Sequence, residues 1–218
     1  MKALMVTVLL TTAVIGTSRA RAHVPALLPP LKGTPVSSYF LGQIDISRAV
    51  YSELTMTDDV FIAHFSVKAG GQALIELLTP VCRELPQYER FQPSALIIRG
   101  EVPWKRQGET NGAYVERLRK IAVADVRSSF RQGERPKFFE EFGKVEYWVG
   151  GKWRGRLRPG LHAVVVYDGS GSKGVFSLGV NEKEAWTPDL YAYVGEVLPA
   201  IARGLCNPKG YSGRLGFD

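Results

Sequence analysis

The residues of this chain whose types suggest chemistry are two cysteines, three histidines and a stretch where aromatic and basic residues interleave. Cys82 and Cys206 read most simply as one disulfide if the chain is exported, because bridges persist in oxidising compartments. Such a bridge closes a loop of about 125 residues, for which chain-entropy arguments give roughly 4–5 kcal/mol as an upper figure. The other reading is two separate buried thiols that act as small hydrophobes. A redox-active pair is not indicated, since no Cys-x-x-Cys spacing depresses a thiol pKa. No metal or cofactor is expected. His23 is the one metal candidate: at a mature N-terminus it would offer its α-amine and its imidazole to copper, which prefers nitrogen ligands. That site would need His64 or His162 to face the same ion.

Residues 138–158, Phe-Phe-Glu-Glu-Phe-Gly-Lys-Val-Glu-Tyr-Trp-Val-Gly-Gly-Lys-Trp-Arg-Gly-Arg-Leu-Arg, alternate rings with cations. Cations neutralise phosphates or carboxylates, and aromatic faces stack on sugars, bases or headgroups. We therefore single out Lys152, Trp153, Arg154, Arg156 and Arg158. Arg117, Lys120 and Arg127 join them from a basic stripe on an expected upstream helix. The partner this chemistry fits is an anionic lipid, lipopolysaccharide or cell-wall polymer, or a protein of an envelope complex; nucleic acid is not expected. The plainer reading is that the aromatics are core and the charges a solvated face.

No catalytic constellation stands out. Glu140 and Glu141 are adjacent and point apart on an expected helix, so they do not form a glycosidase pair across one sugar, with or without Glu146 nearby. Gly169-Ser-Gly-Ser-Lys-Gly174 has its glycines and lysine in the wrong order for a P-loop, and Gly-x-Ser-x-Gly is absent. A Ser-His-Asp triad would have to use His64 or His162, and no local motif supports either. Zinc spacing such as His-Glu-x-x-His is missing.

What positions these groups starts with the leader. Lys2 precedes an apolar run from Ala3 to Ile15, and Ala20-Arg21-Ala22 gives a small-x-small end, which predicts a signal peptide over 1–22 and a mature chain from His23. The formal charge of +7 then shrinks, because Lys2, Arg19 and Arg21 leave and 25 basic residues remain against 21 acidic. The basicity concentrates in residues 105–160.

Residues 23–36 carry four prolines and are expected as an extended lead-in. Apolar alternation predicts strands over Tyr39–Ile46 and Val60–Lys68, and shorter ones over Ala95–Glu101, Lys144–Val149, Trp153–Leu157, Leu161–Tyr167 and Val175–Val180. Gly150-Gly151 is read as a turn, and residues 168–174 as a hairpin loop. Helical spacing of Leu74, Leu77, Leu78, Val81 and Leu85 predicts a helix after Gly71, kinked at Pro80. Val115, Leu118, Ala122, Val126 and Phe130 predict another over Gly112–Arg131, and a short one is expected over Pro136–Phe142. Thr187-Pro188-Asp189 opens a closing helix that ends beside Cys206.

The resulting expectation is one α+β domain over 37–218, a largely antiparallel sheet packed with two or three helices. Its function is read as that of a non-catalytic accessory or binding protein, periplasmic or secreted, working with an envelope-associated system. A secreted hydrolase of envelope or extracellular polymer is the second reading, marked by a polar cluster in a concave pocket. A carrier of a lipophilic ligand is the third, marked by a large apolar cavity.

Overall fold

The computed structural model describes residues 24–28, 36–44, 46–55, 59–131, 134–170, 172–181, 183 and 187–206. The expected leader 1–22, His23 and residues 29–35 lie outside these. Eleven strands form two sheets among the described residues. Sheet A runs, in spatial order, β1 (Val24–Leu27), β3 (Arg48–Leu54), β11 (Gly174–Val180), β5 (Gly71–Pro80), β9 (Val145–Leu157) and β8 (Lys137–Glu140). Sheet B runs β2 (Val36–Gln43), β4 (Val60–Val67), β10 (Gly160–Tyr167), β6 (Ser94–Arg99) and β7 (Ala122–Val126). The β1/β3 and β2/β4 pairs are parallel and the other pairs antiparallel.

The α+β expectation is thereby overturned. Strands hold 48% of the described residues and helices 19%, and one sheet curls into a half-barrel beside a second sheet. The main core lies between the sheets, where Phe61, Phe65, Ile75, Leu77, Ile97, Val164, Phe176 and Leu178 meet. Each sheet also buries part of its outer face. Helix α1 (Asn111–Arg119) brings Tyr114, Val115 and Leu118 onto Ile62, Leu96, Ile98 and Val165 of sheet B. Helix α2 (Pro188–Leu205) brings Val194, Val197, Leu198, Ile201 and Leu205 onto Ala49, Tyr51, Tyr147 and Val175 of sheet A.

Burial on both faces explains the wrong period. Residues 71–80 are a strand whose Ala73, Ile75 and Leu77 face the inter-sheet core while Leu78 faces the α2 side, so the apolar residues fall at helix-like spacing. The helix over 112–131 stops at Arg119, and Ala122–Val126 pairs with β6 instead. Residues 137–140 form edge strand β8, not a helix. Residues 168–174 join strands of different sheets, so they are not a hairpin loop. Strand β9 runs straight through Gly150-Gly151, where its register with β5 shifts between Glu76 and Leu78. A Cβ on Gly150 would lie 2.7 Å from the Leu77 carbonyl oxygen, and one on Gly151 3.0 Å from the Arg127 backbone. These glycines serve a bulge and a close crossing rather than a turn.

Local cap chemistry fared better. Thr187 accepts a hydrogen bond from the Leu190 amide at 3.2 Å, with Pro188 opening α2. Cys82 and Cys206 are bridged with their Cα atoms 5.3 Å apart, which ties the end of α2 to the chain just beyond β5. Among the described residues no helix is long and apolar enough to cross a membrane.

Candidate functional site

The outer face of sheet A is covered by α2 over only part of its area. Register aligns the strands at the border of that cover row by row: Ala49, Gly179, Glu76 and Lys152 form one row, and Tyr51, Ser177, Leu78 and Val149 the next. Small side chains at Ala49, Ser177 and Gly179 leave a depression between taller neighbours. Strand β8 raises one wall with Phe138 and Phe139, the turn after it adds Phe142, and the segment after β7 adds Arg127, Ser129 and Phe130. The open cavity so formed is about 760 Å3, within the usual range for small-molecule sites.

The walls are braced. The Glu140 carboxylate accepts from the amides of Phe142 at 2.9 Å and Gly143 at 2.5 Å, fixing the turn that presents Phe142. A Cβ on Gly143 would come 2.8 Å from that carboxylate, so a side chain there would push the carboxylate out of its place. Phe142 in turn meets Tyr191 of α2 edge-on, with ring centroids 5.9 Å apart. The floor holds a polar knot: Tyr51 hydrogen-bonds with Tyr147 and Ser177, and burial, reinforced by the Glu140 charge, pushes the Tyr51 hydroxyl pKa well up. That hydroxyl stays protonated and able to donate.

Each cation of the lining has a carboxylate beside it. Lys152 Nζ sits 2.8 Å from Glu76, Arg127 2.7 Å from Asp125, and Lys137 3.0 Å from Glu146 while also lying 4.7 Å from the centre of the Trp148 ring. The cavity thus offers half-exposed phenylalanine faces, a hydroxyl cluster and a donor–acceptor pair in Lys152–Glu76. It is not the purely apolar cavity of a lipophilic-ligand carrier, since a polar cluster sits within a concave pocket.

The structure distributes the sequence-derived binding residues over three places. Lys152 and Arg127 line the cavity. Arg154 and Arg156 continue outward on the exposed side of β9, and Arg158 follows the strand at its end. Arg117 and Lys120 belong to α1 and its C-terminus, on sheet B. Arg117 is committed to structure: it pairs with Glu109 at 2.8 Å, donates to the Trp104 carbonyl at 3.0 Å and covers the Tyr114 ring. Trp153 points the other way, packing against the inter-sheet core.

The two described histidines lie outside the cavity. His64 Nε2 lies 3.1 Å from Ser38 Oγ across the β2/β4 pair, on the outer side of sheet B and outside the cavity. Burial lowers its pKa, against an opposing effect of Glu101. His162 is buried and stacked on Phe65, with Nδ1 3.2 Å from the Gly160 carbonyl. Among the described residues no group of three His, Cys, Asp or Glu is arranged to hold a metal.

Sequence reasoning missed Tyr51, Glu76, Ser177 and Gly179, which carry no local motif. Phe138 and Phe139 stood in the aromatic stretch as an unused signal.

No family model matches the chain. No curated protein matches it either. Among solved structures it is similar to the pre-peptidase C-terminal domain of a Bacillus anthracis collagenase, at 12% identity over 68% of this chain and 98% of that one, TM-score 0.41. It is also similar to PliG of Aeromonas hydrophila, a periplasmic inhibitor of g-type lysozyme, at 12% identity over 67% of this chain and 97% of that one, TM-score 0.35. A beta-glucosidase from Paenibacillus barengoltzii matches at 11% identity over 73% of this chain and 13% of that one, TM-score 0.31. These scores are low, and no residue role is carried over from them.

Proposed function

We propose that this is an exported binding protein of an envelope-associated system, and that its ligand is a compact amphipathic molecule seated in the cavity of sheet A. Binding is favoured over hydrolysis because the polar groups of the cavity engage one another, Lys152 with Glu76 and Tyr51 with Tyr147 and Ser177, and its described lining holds no histidine. The observation that carries the reading is the cavity itself: a floor kept low by Ala49, Ser177 and Gly179, aromatic walls, and one ion pair, Lys152–Glu76, on the floor. A ring or short chain would lie against Phe130, Phe138 and Phe139, since apolar burial supplies most of the affinity in such sites. Its polar end would meet Lys152–Glu76 and the Tyr51 cluster. The export part of the reading rests on the leader pattern of residues 1–22.

Gly179 gives the test. A Cβ there would meet nothing nearer than Glu76 at 3.7 Å, an ordinary contact, so Gly179→Leu fills the cavity without pressing on backbone. The probe is N-phenyl-1-naphthylamine, an uncharged amphipathic dye that fluoresces when removed from water. The parent protein should bind it saturably at one site, and Gly179→Leu should weaken binding at least ~10-fold, about 1.4 kcal/mol, with an unchanged circular dichroism spectrum. Equal binding by both proteins, or none by either, would overturn the cavity as the binding site.

A further inference from the structure

A second surface lies at the end of the two sheets where β4, β6 and β9 finish and β5 and β10 begin. The registers Gly71↔Leu157, Gly160↔Val67 and His162↔Arg99 bring these strand ends to one level. The connecting turns touch, since a Cβ on Gly70 would meet Leu157 O at 3.2 Å and the Pro159 ring at 3.3 Å. Lys68, Arg99, Arg156 and Arg158 are therefore gathered at this end and exposed. The loop over 100–110 leaves from the same level and adds Lys105 and Arg106. Against these six cations, the acidic residues of the described loops there are Glu101 and Glu109, and Glu109 is taken up by Arg117 at 2.8 Å.

On the loop that leaves this end stands Trp104, 91% exposed, more than any other large hydrophobic residue of the described chain. Its loop is held in place. The Pro103 carbonyl accepts from Tyr114 Oη at 3.0 Å, the Trp104 carbonyl from Arg117 at 3.0 Å, and the Glu109 carboxylate from the Arg106 amide at 2.9 Å. A backbone fixed on both sides of an exposed indole has already lost the entropy that docking would otherwise take from it. An indole with an apolar body and one N–H favours the boundary between headgroups and acyl chains, and cations around it favour anionic headgroups.

We infer that this end of the molecule docks on an anionic lipid bilayer, with Trp104 inserted at the interface and Lys68, Arg99, Lys105, Arg106, Arg156 and Arg158 over the headgroups. The site is separate from the sheet A cavity and stands without it. A bilayer suits it better than a protein groove because a lone protruding ring amid cations needs no matching pocket.

The test is sedimentation of the full chain with vesicles of phosphatidylglycerol and phosphatidylcholine, against vesicles of phosphatidylcholine alone. Binding should need phosphatidylglycerol, weaken as salt rises, and fall about 10-fold or more in Trp104→Ser. The double variant Arg156→Gln/Arg158→Gln should lose roughly 25-fold, at about fivefold per cation near the surface. Lys173→Gln, in the loop at the opposite end, should bind like the parent. Brominated lipid should quench tryptophan emission in the parent and not in Trp104→Ser. Binding that ignores Trp104, absence of binding to phosphatidylglycerol vesicles, or retention only on lipopolysaccharide, cell-wall polymer or a protein partner would each overturn the inference.

Discussion

Arg135 should be the most sensitive single position for stability. It is 4% exposed, and its guanidinium donates to Thr79 Oγ1 at 2.9 Å and to the carbonyls of Phe91 at 3.2 Å, Tyr88 at 3.2 Å and Glu89 at 2.6 Å, while lying 5.5 Å from the centre of the Trp148 ring. It thus fastens the 86–91 segment to the β8/β9 edge that forms a cavity wall. Burial pulls its pKa down to about 10 from the ordinary guanidinium value, against a smaller opposing effect of Glu89, a cost of at most roughly 3 kcal/mol at about 1.36 kcal/mol per unit once solvent screening is allowed for. Four hydrogen bonds from a charged donor, roughly 1.5–3 kcal/mol each, exceed that cost. Arg135→Met removes the donors and leaves buried acceptors unpaired, so the expected loss is roughly 3–5 kcal/mol, as when one member of a buried charged network is deleted.

For a chain of this length about 2–4 °C accompanies each kcal/mol, and the melting temperature should fall by roughly 10 °C in a calorimetric scan. Arg135→Lys keeps the charge but not the planar fork and should fall between parent and Met variant. Because the folded pKa lies below the unfolded one, the charge penalty is present at all pH below about 10 and is relieved only as pH rises from there toward the ordinary guanidinium value. The difference between parent and Met variant should therefore be flat from acidic to mildly alkaline pH. A fall under about 2 °C, the size of an ordinary surface change, would refute the clamp.

Two further outcomes follow from the same structure. Reducing the Cys82–Cys206 bridge, whose sequence separation is 124, should lower the melting temperature by roughly 10 °C, given an upper figure of about 4–5 kcal/mol for such a loop; the double serine variant should match the reduced protein, and an unchanged melting curve would count against a stabilising bridge. Arg117, then the Arg106 amide, hold the Glu109 pKa down at about 2 against an ordinary 4.5, so this ion pair's contribution is complete above about pH 4.5 and is lost as pH falls from there toward 2. Amide exchange over residues 103–119 should rise in that window in the parent, while Glu109→Gln should show the raised exchange already at neutral pH; identical profiles would refute the bracing role.

How much of this was legible depends on how far each feature is local. The strands Val60–Val67, Gly160–Tyr167 and Gly174–Val180 announce themselves through β-branched and aromatic runs bounded by glycine or polar residues. The start of α2 is legible because Thr187, Pro188 and Asp189 satisfy cap chemistry within one turn. The period of residues 71–80 was not, because a strand buried on both faces loses its alternation. The Ile121–Val126 stretch continued a helical phase by coincidence, and only its pairing with β6 reveals a strand. Gly150-Gly151 looked like a turn because glycine signals freedom; here it signals an absence of room.

The cavity was illegible for a more general reason. Its floor row joins Ala49, Gly179, Glu76 and Lys152, residues from four strands with no shared motif, and register alone makes them neighbours. By contrast, the basic end was half visible, since Arg156 and Arg158 stood in the interleaved stretch, but Lys68, Arg99 and Trp104 join them only once the strand ends are aligned. Aligning those ends also separates two roles that one charge run had merged. Lys152 faces a balanced cavity where every cation of the lining has a carboxylate, so charge there orients a ligand rather than attracting one. Arg156 and Arg158 sit where, among the described residues, cations outnumber acids, so charge there suits the docking inferred above. A single strand, β9, thus carries an orienting cation and attracting cations a few residues apart, and the bulge at Gly150-Gly151 sets which of its side chains face the cavity.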